Sequence, residues 1–247
     1  MSVIVVPTSV FHHEEVRSRG QEAFASLIKQ HGGAGIEIRR ELFADGDFRL
    51  KELNAIIKKH RLFPVYSAPI EMWDGNGQFN HTLIEEVISE AETVGAKIMK
   101  VSLGNYQAGK SDLAALKQFT ARHEEMQLTI ENDQTAYGGC LQTIRIFFEN
   151  AVKMGIPVKM TFDIGNWIIT GENPIEAAKQ LADYVVYVHL KKMEQQNGKW
   201  RTLPISEKEM EWRNLLNCFP KGVLKAIEFP IARYEETKQY VKLLQDA

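Results

Sequence analysis

Val158-Lys159-Met160-Thr161-Phe162-Asp163-Ile164-Gly165-Asn166 is an apolar run that finishes in a carboxylate and a turn, and its reading governs the rest of the chain. Seven other runs share its character: Val3 to Thr8, Gly35 to Arg40, Phe63 to Pro69, Ile98 to Gly104, Gln127 to Asp133, Val185 to Met193 and Val223 to Pro230. They are rich in Val and Ile, and each leads through a polar turn into a stretch of helical periodicity, the alternation that βα units produce. Because the runs are largely apolar rather than alternating, they suit a parallel sheet covered by helices better than a half-wet antiparallel one. Asn173-Pro174-Ile175-Glu176 offers a helix cap, a proline whose missing N–H costs nothing at the first helical position, and an early acid; Ser206 with Glu209 repeats that pattern. The stretches Ser111 to Phe119 and Gly139 to Val152 place apolar residues three and four apart for packing on a sheet. No proline-rich linker or low-complexity tract interrupts the order, so residues 1–247 read as one domain. Eight units in one domain predict a single closed (β/α)8 barrel, with an open doubly wound sheet as the alternative that periodicity cannot separate.

Composition narrows the function. With 247 residues, 44% hydrophobic and 25% charged, the chain can bury a full core, and disordered and fibrous classes drop out. Thirty basic residues against 32 acidic ones give a net charge of −2, so no cationic surface for a nucleic acid is expected. Two cysteines, Cys140 and Cys218, cannot build a disulfide framework, and Cys218 reads as a packing residue. The apolar start Val3-Ile4-Val5-Val6 is too short for a signal peptide or a membrane span, so a soluble cytoplasmic protein without a membrane partner is expected.

In a barrel of this kind the C-terminal ends of the strands meet at one mouth, and the polar residues that finish apolar strands are the ones to weigh. Four stand out in the second half: Glu131 after Leu128-Thr129-Ile130, Asp163 after Met160-Thr161-Phe162, His189 after Val186-Tyr187-Val188, and Glu228 after Leu224-Lys225-Ala226-Ile227. Singly each has a duller account: a loop acid, an Asx turn, a satisfied core histidine. Glu228, between Ile227 and Phe229-Pro230, lacks any partner nearby in sequence. Four coincidences at equivalent positions are less economical than one site. Three carboxylates brought together repel, and a divalent metal supplies the missing cation. Oxygen donors with one imidazole suit Mn²⁺, Mg²⁺, Co²⁺ or Zn²⁺, and the lack of thiolates argues against a structural zinc site.

At these residues the sequence resembles the xylose-isomerase-like TIM barrels, the superfamily of sugar isomerases and epimerases that also includes endonuclease IV. The resemblance runs over the whole chain and is carried by Thr129-Ile130-Glu131-Asn132, Phe162-Asp163-Ile164-Gly165-Asn166, Val188-His189-Leu190-Lys191 and Ile227-Glu228. It implies that Glu131, Asp163, His189 and Glu228 bind one divalent metal, and that the two glutamates also act as acid and base. Three departures stand out: Asn166 replaces a frequent histidine, Lys192 replaces a frequent aspartate, and Tyr66-Ser67 and Val101-Ser102-Leu103 lack the histidines of the trinuclear endonuclease. A DNA-repair role is therefore discounted.

The expected reaction is isomerisation or epimerisation of a small carbohydrate or sugar phosphate through a metal-bound enediolate, with Glu131 and Glu228 on opposite faces of the substrate. A lyase or dehydratase using the same carbanion is the alternative, and a sugar-binding barrel without activity is a third. Asn166, Lys191, Arg39, Trp73 and Trp167 are candidate substrate contacts; Arg39 has a competing account as the ion-pair partner of Glu37 or Glu41, and both tryptophans as core packing. The partner expected is a small molecule, and pairing into a homo-oligomer is compatible with the resemblance. Gly104-Asn105-Tyr106-Gln107-Ala108-Gly109-Lys110-Ser111 fits a P-loop pattern, but it leaves His189 and Glu228 unexplained; a milder reading gives it the phosphate of a sugar phosphate, and the plainer one makes Ser111 a helix cap. His12-His13-Glu14-Glu15 reads as the entry to a helix, since adjacent helical residues cannot converge on one ion. Asn197-Gly198 reads as the tip of a hairpin between Met193 and Thr202.

Overall fold

The computed structural model describes residues 3–44 and 48–247. Among the described residues there are ten strands: β1 (Ile4–Pro7), β2 (Gly35–Arg39), β3 (Phe63–Trp73), β4 (Ile98–Gly104), β5 (Gln127–Glu131), β6 (Lys159–Asp163), β7 (Val185–Leu190), β8 (Lys192–Gln196), β9 (Lys199–Leu203) and β10 (Leu224–Ile227). Eight of them close into a parallel barrel in the order β1-β10-β7-β6-β5-β4-β3-β2, with helices between. Closure is made by β10, which pairs with β7 on one side and with β1 on the other through Ile4↔Lys225 and Val5↔Ala226. The open-sheet alternative is thereby excluded, and the expected (β/α)8 barrel stands.

Local chemistry sets where the elements begin and end. β6 stops at Asp163, short of the expected Asn166, because the Asp163 side chain accepts the Asn166 amide and caps the helix Ile164–Ile169. Asn173 caps the helix Pro174–Leu181 as expected, accepting from the amides of Ile175 and Glu176. The helix Leu113–Arg122 is capped by Asp112, not by Ser111. Glu209 does accept the Ser206 amide at 3.1 Å, but that box sits in a turn, and the helix starts at Glu211. β8 and β9 form the expected hairpin, with Asn197 (φ 51°) and Gly198 (φ 72°) supplying the left-handed pair that a two-residue turn needs. His13 opens the first α-helix, His13–Arg19.

The barrel is plugged beneath its mouth by Val5, Val65, Ile98, Tyr187 and Ala226, contributed by five different strands. Among the described residues no helix is long and apolar enough to cross a membrane.

Where β3 and β4 end side by side, Gly104 adopts φ +73°, and a Cβ there would overlap the carbonyl oxygen of Trp73. Gly104→Ala combines left-handed strain with a backbone clash, and is expected to lower unfolding free energy by about 2–3 kcal/mol in denaturant titration. Lys110→Ala, exposed in the same loop, is expected to stay within about 0.5 kcal/mol of wild type.

Candidate metal and catalytic centre

Each of the four polar strand-end residues reaches the same point. One ligand atom from each of Glu131, Asp163, His189 and Glu228 lies within 4.8 Å of all the others, and among the described residues this is the one such group able to hold a metal ion. His189 is at the middle: its Nδ1 lies 3.0 Å from Glu228 Oε1, 3.1 Å from Glu131 Oε1 and 3.8 Å from Asp163 Oδ2. None of those oxygens is placed to share a hydrogen bond with it, so Nδ1 is a buried polar atom without a partner. Its other nitrogen, Nε2, lies 3.0 Å from Glu37 Oε2. With Nε2 engaged by Glu37, Nδ1 is the ring nitrogen left facing the carboxylates. Separations near 3 Å are those of neighbouring ligands around an ion with bonds of about 2.1 Å. The donor set therefore fits a divalent cation.

Sequence reasoning missed two residues that hold this arrangement. Glu37, fully buried on β2, accepts the Tyr187 hydroxyl at 2.7 Å as well as His189, and Arg39 Nη1 donates to its other oxygen at 2.8 Å. Lys100, buried on β4, donates to Glu131 Oε1 at 2.8 Å and lies 3.4 Å from Glu37 Oε1. Lys191 is buried rather than at the rim, and donates to Asp163 Oδ2 at 2.7 Å and Glu228 Oε2 at 2.8 Å. Its stem lies across Gly165, where any Cβ would overlap it. Lys192, next in the chain, turns away to pair with Glu209.

Four carboxylates in this centre, Glu37, Glu131, Asp163 and Glu228, thus face three fixed cations, Arg39, Lys100 and Lys191. Burial opposes charge on all of them. Even so, Lys100 and His189 hold Glu37 and Glu131 below the usual carboxylate range, while His189 and Lys191 hold Glu228 well below it. Asp163 differs: burial outweighs Lys191 and lifts it to about 6. For His189 burial also opposes charge, but Glu228 and Glu37 prevail and raise it well above the ordinary imidazole value, so the centre draws positive charge to the imidazole.

The other candidates fare differently. Asn166 is nearly buried and its amide is committed: Nδ2 donates to Asn132 O at 2.9 Å, and Oδ1 accepts from Gln134 at 3.1 Å and Lys191 at 3.3 Å. It braces the wall instead of presenting a group to substrate. Arg39 makes both ion pairs foreseen for it, with Glu37 and Glu41 at 2.8 Å, and lies 3.4 Å from Glu228, so its role is internal. Trp73 and Trp167 are wholly buried, the first packed on Phe79 and Tyr106 and the second on Phe162; neither forms an open wall for a sugar. In the Gly104 to Ser111 loop, five amides that a phosphate cradle would draw on are already bonded. The amides of Asn105, Tyr106, Lys110 and Ser111 go to backbone carbonyls, the Gln107 amide goes to Ser111 Oγ, and that hydroxyl donates to Gly77 O.

No protein-family model matches the sequence, and no curated protein does either. Solved structures match over nearly the whole length. A xylose isomerase domain containing protein from Salmonella typhimurium LT2 is 15% identical, with 99% of this chain and 96% of that one covered and a TM-score of 0.72. L-ribulose 3-epimerase is 13% identical over 100% and 94%, TM-score 0.68. The probable 3-DHS dehydratase AsbF of Bacillus anthracis is 14% identical over 99% of each chain, TM-score 0.67. Another match is the IolI protein with a zinc atom bound, 14% identical over 100% and 96%, TM-score 0.65. The fold is that of the xylose isomerase-like TIM barrels, and D-allulose 3-epimerase from Methylomonas sp. and 3-keto-D-glucoside 4-epimerase from E. coli are also among the matches.

Lys100→Met is expected to cost about 3–5 kcal/mol of stability, because it breaks a buried ion pair and leaves Glu131 without its hydrogen-bonded cation. Adding Glu131→Gln should recover part of that loss. A double-mutant cycle by denaturant unfolding checks this, and strictly additive effects would contradict the Lys100–Glu131 contact.

Proposed function

We propose that this centre binds one divalent cation and moves a proton beside the carbonyl of a small hydroxy-carbonyl compound, a sugar first of all, as an isomerase or epimerase. The observation that carries the reading is the His189 Nδ1 atom, buried, without a hydrogen-bond partner, and facing three carboxylates. Asp163, His189, Glu131 and Glu228 would hold the ion, and Mn²⁺, Mg²⁺, Co²⁺ and Zn²⁺ all suit these donors. Bound there, a divalent ion supplies positive charge that favours loss of a proton next to a carbonyl.

The proton itself is handled by the chain. Glu131 ends β5 and Glu228 follows β10, two strands that β6 and β7 separate in the barrel, so the two carboxylates enter the centre from different sides. One removes the proton and the other returns it. Delivery to the opposite face inverts the carbon; delivery to the neighbouring carbon isomerises the compound. Lys100 keeps Glu131 ionised and in place, and Lys191 does the same for Glu228. The matches to sugar epimerases support this choice of reaction.

Incubation of Mn²⁺-loaded protein with a panel of ketoses in D₂O is expected to place deuterium beside the carbonyl. Glu131→Gln and Glu228→Gln should each slow that exchange by at least ~10²-fold. Undiminished exchange in either variant would show that the replaced glutamate neither removes nor returns the proton. Glu37→Gln, which weakens the brace on His189, is expected to lower Mn²⁺ affinity by about 10–100-fold in calorimetric titration. Protein that takes up neither Mn²⁺ nor Zn²⁺ would refute the reading.

A further inference from the structure

A pocket of about 450 Å³ lies against the centre, sharing Lys191 with it and beginning at Ile164, the residue after Asp163. Its body is hydrocarbon: Ile168 and Ile175 from two successive helices, Met193 from β8, and Ile205, Trp212 and Leu215 from the segment after the hairpin. Trp212 spends its one polar atom outside the pocket, donating Nε1 to Ser206 O at 2.9 Å. The cations at its edge are also spoken for, Lys191 by Asp163 and Glu228, and Lys192 by Glu209. Glu209 and Glu211 also stand at its edge, so a phosphate would meet two carboxylates and no unpaired cation, while the hydrocarbon that makes up most of the wall offers a sugar hydroxyl nothing to bond.

We propose that this pocket receives an apolar, unphosphorylated substituent of the compound handled at the centre. The substrate class is then a hydroxy-carbonyl compound or keto-sugar bearing an aryl or alkyl group, not a free sugar or a sugar phosphate. The inference rests on the proposed function for the position of the reacting carbon, and on the pocket alone for the substituent. The volume falls within the range of ligand pockets that enclose an apolar group and fix it with few polar contacts. Lys191 is what ties it to substrate: its side chain lines this hydrocarbon pocket while its ammonium is bonded to Asp163 and Glu228.

The test compares two ketones with the same reacting end, hydroxyacetone and 1-hydroxy-4-phenylbutan-2-one, by calorimetric titration in the presence and absence of Mn²⁺. The phenyl ketone is expected to bind at least about tenfold more tightly, the lower range for hydrocarbon placed in a fitted pocket. Ile168→Gln and Met193→Gln alter half-buried lining residues and should bring the two ketones close to equal affinity. Equal binding to wild type, no binding of either ketone, or a preference that survives both variants would overturn the assignment. Titration of Mn²⁺ into the same samples separates the two readings. Ion uptake without a phenyl preference removes the pocket's role, whereas a preference without ion uptake removes the metal centre and leaves the pocket.

Discussion

The hydrogen bond between Glu37 and His189 is the contact on which the centre depends. By engaging Nε2, Glu37 leaves the other ring nitrogen to meet the three carboxylates, as a lone pair for an ion once His189 is neutral. A buried carboxylate can do this only if it is itself satisfied, and Glu37 draws on Tyr187, Arg39 and Lys100. These residues come from β2, β4 and β7, with about 150 positions between Glu37 and its partners on β7, so no local piece of the chain could assemble them. The barrel must close first. Its strands then deliver each group by register: Asp163 pairs with His189 across β6 and β7, and Ala226, two residues before Glu228, also pairs with His189.

Charge balance in the centre differs from what the strand-end acids alone suggest. Clustered carboxylates need cations, and from sequence a divalent ion is the economical source. The structure supplies three of its own, in Arg39, Lys100 and Lys191. Repulsion among the acids is therefore largely relieved by side chains, and the case for an ion passes to the geometry of one imidazole nitrogen. A divalent ion beside a neutral His189 would carry the centre from one net negative charge to one net positive. That is the sign a developing oxyanion requires, and it is set in a buried place where such charge is weakly screened.

Glu131, Asp163, His189 and Glu228 were legible in the sequence because each finishes an apolar strand, and the barrel fold makes all such positions neighbours. Lys100 carried an equally plain signal, a charged residue inside Met99-Lys100-Val101, which cannot stay buried without a partner. Glu37 carried a weaker one, since the nearby Arg39 gave it a sufficient local explanation. Depth is what a sequence does not encode: by sequence Trp73 and Trp167 lie past their strands as rim residues do, yet Trp73 ends β3, Trp167 sits in the helix after β6 and both are in the core, whereas Lys191 looks like a rim lysine and is buried. The glycine-rich loop after β4 fits a phosphate cradle by pattern alone. Five of its amides are already bonded, three to the loop's own carbonyls, one to Trp73 O and one to Ser111 Oγ, an outcome set by conformation and not by composition.

Asp163-Ile164-Gly165-Asn166 shows how far one short motif can shape recognition. Asp163 divides its oxygens, Oδ1 to the Asn166 amide that starts a helix and Oδ2 to Lys191. Gly165 has no side chain, so the Lys191 stem can lie over the first turn and bring its ammonium between Asp163 and Glu228. Asn166 then closes the wall by tying Lys191, Gln134 and the Asn132 carbonyl together. A histidine at 166 would present a ring nitrogen where this amide is locked away. With polar contact withdrawn on that side, the surface next to Lys191 is left to Ile164 and Ile168 of the same helix, and hydrocarbon becomes the means of discrimination there. The Asn166 brace and the apolar wall of Ile164 and Ile168 thus belong to the same short helix, the one that Asp163 caps.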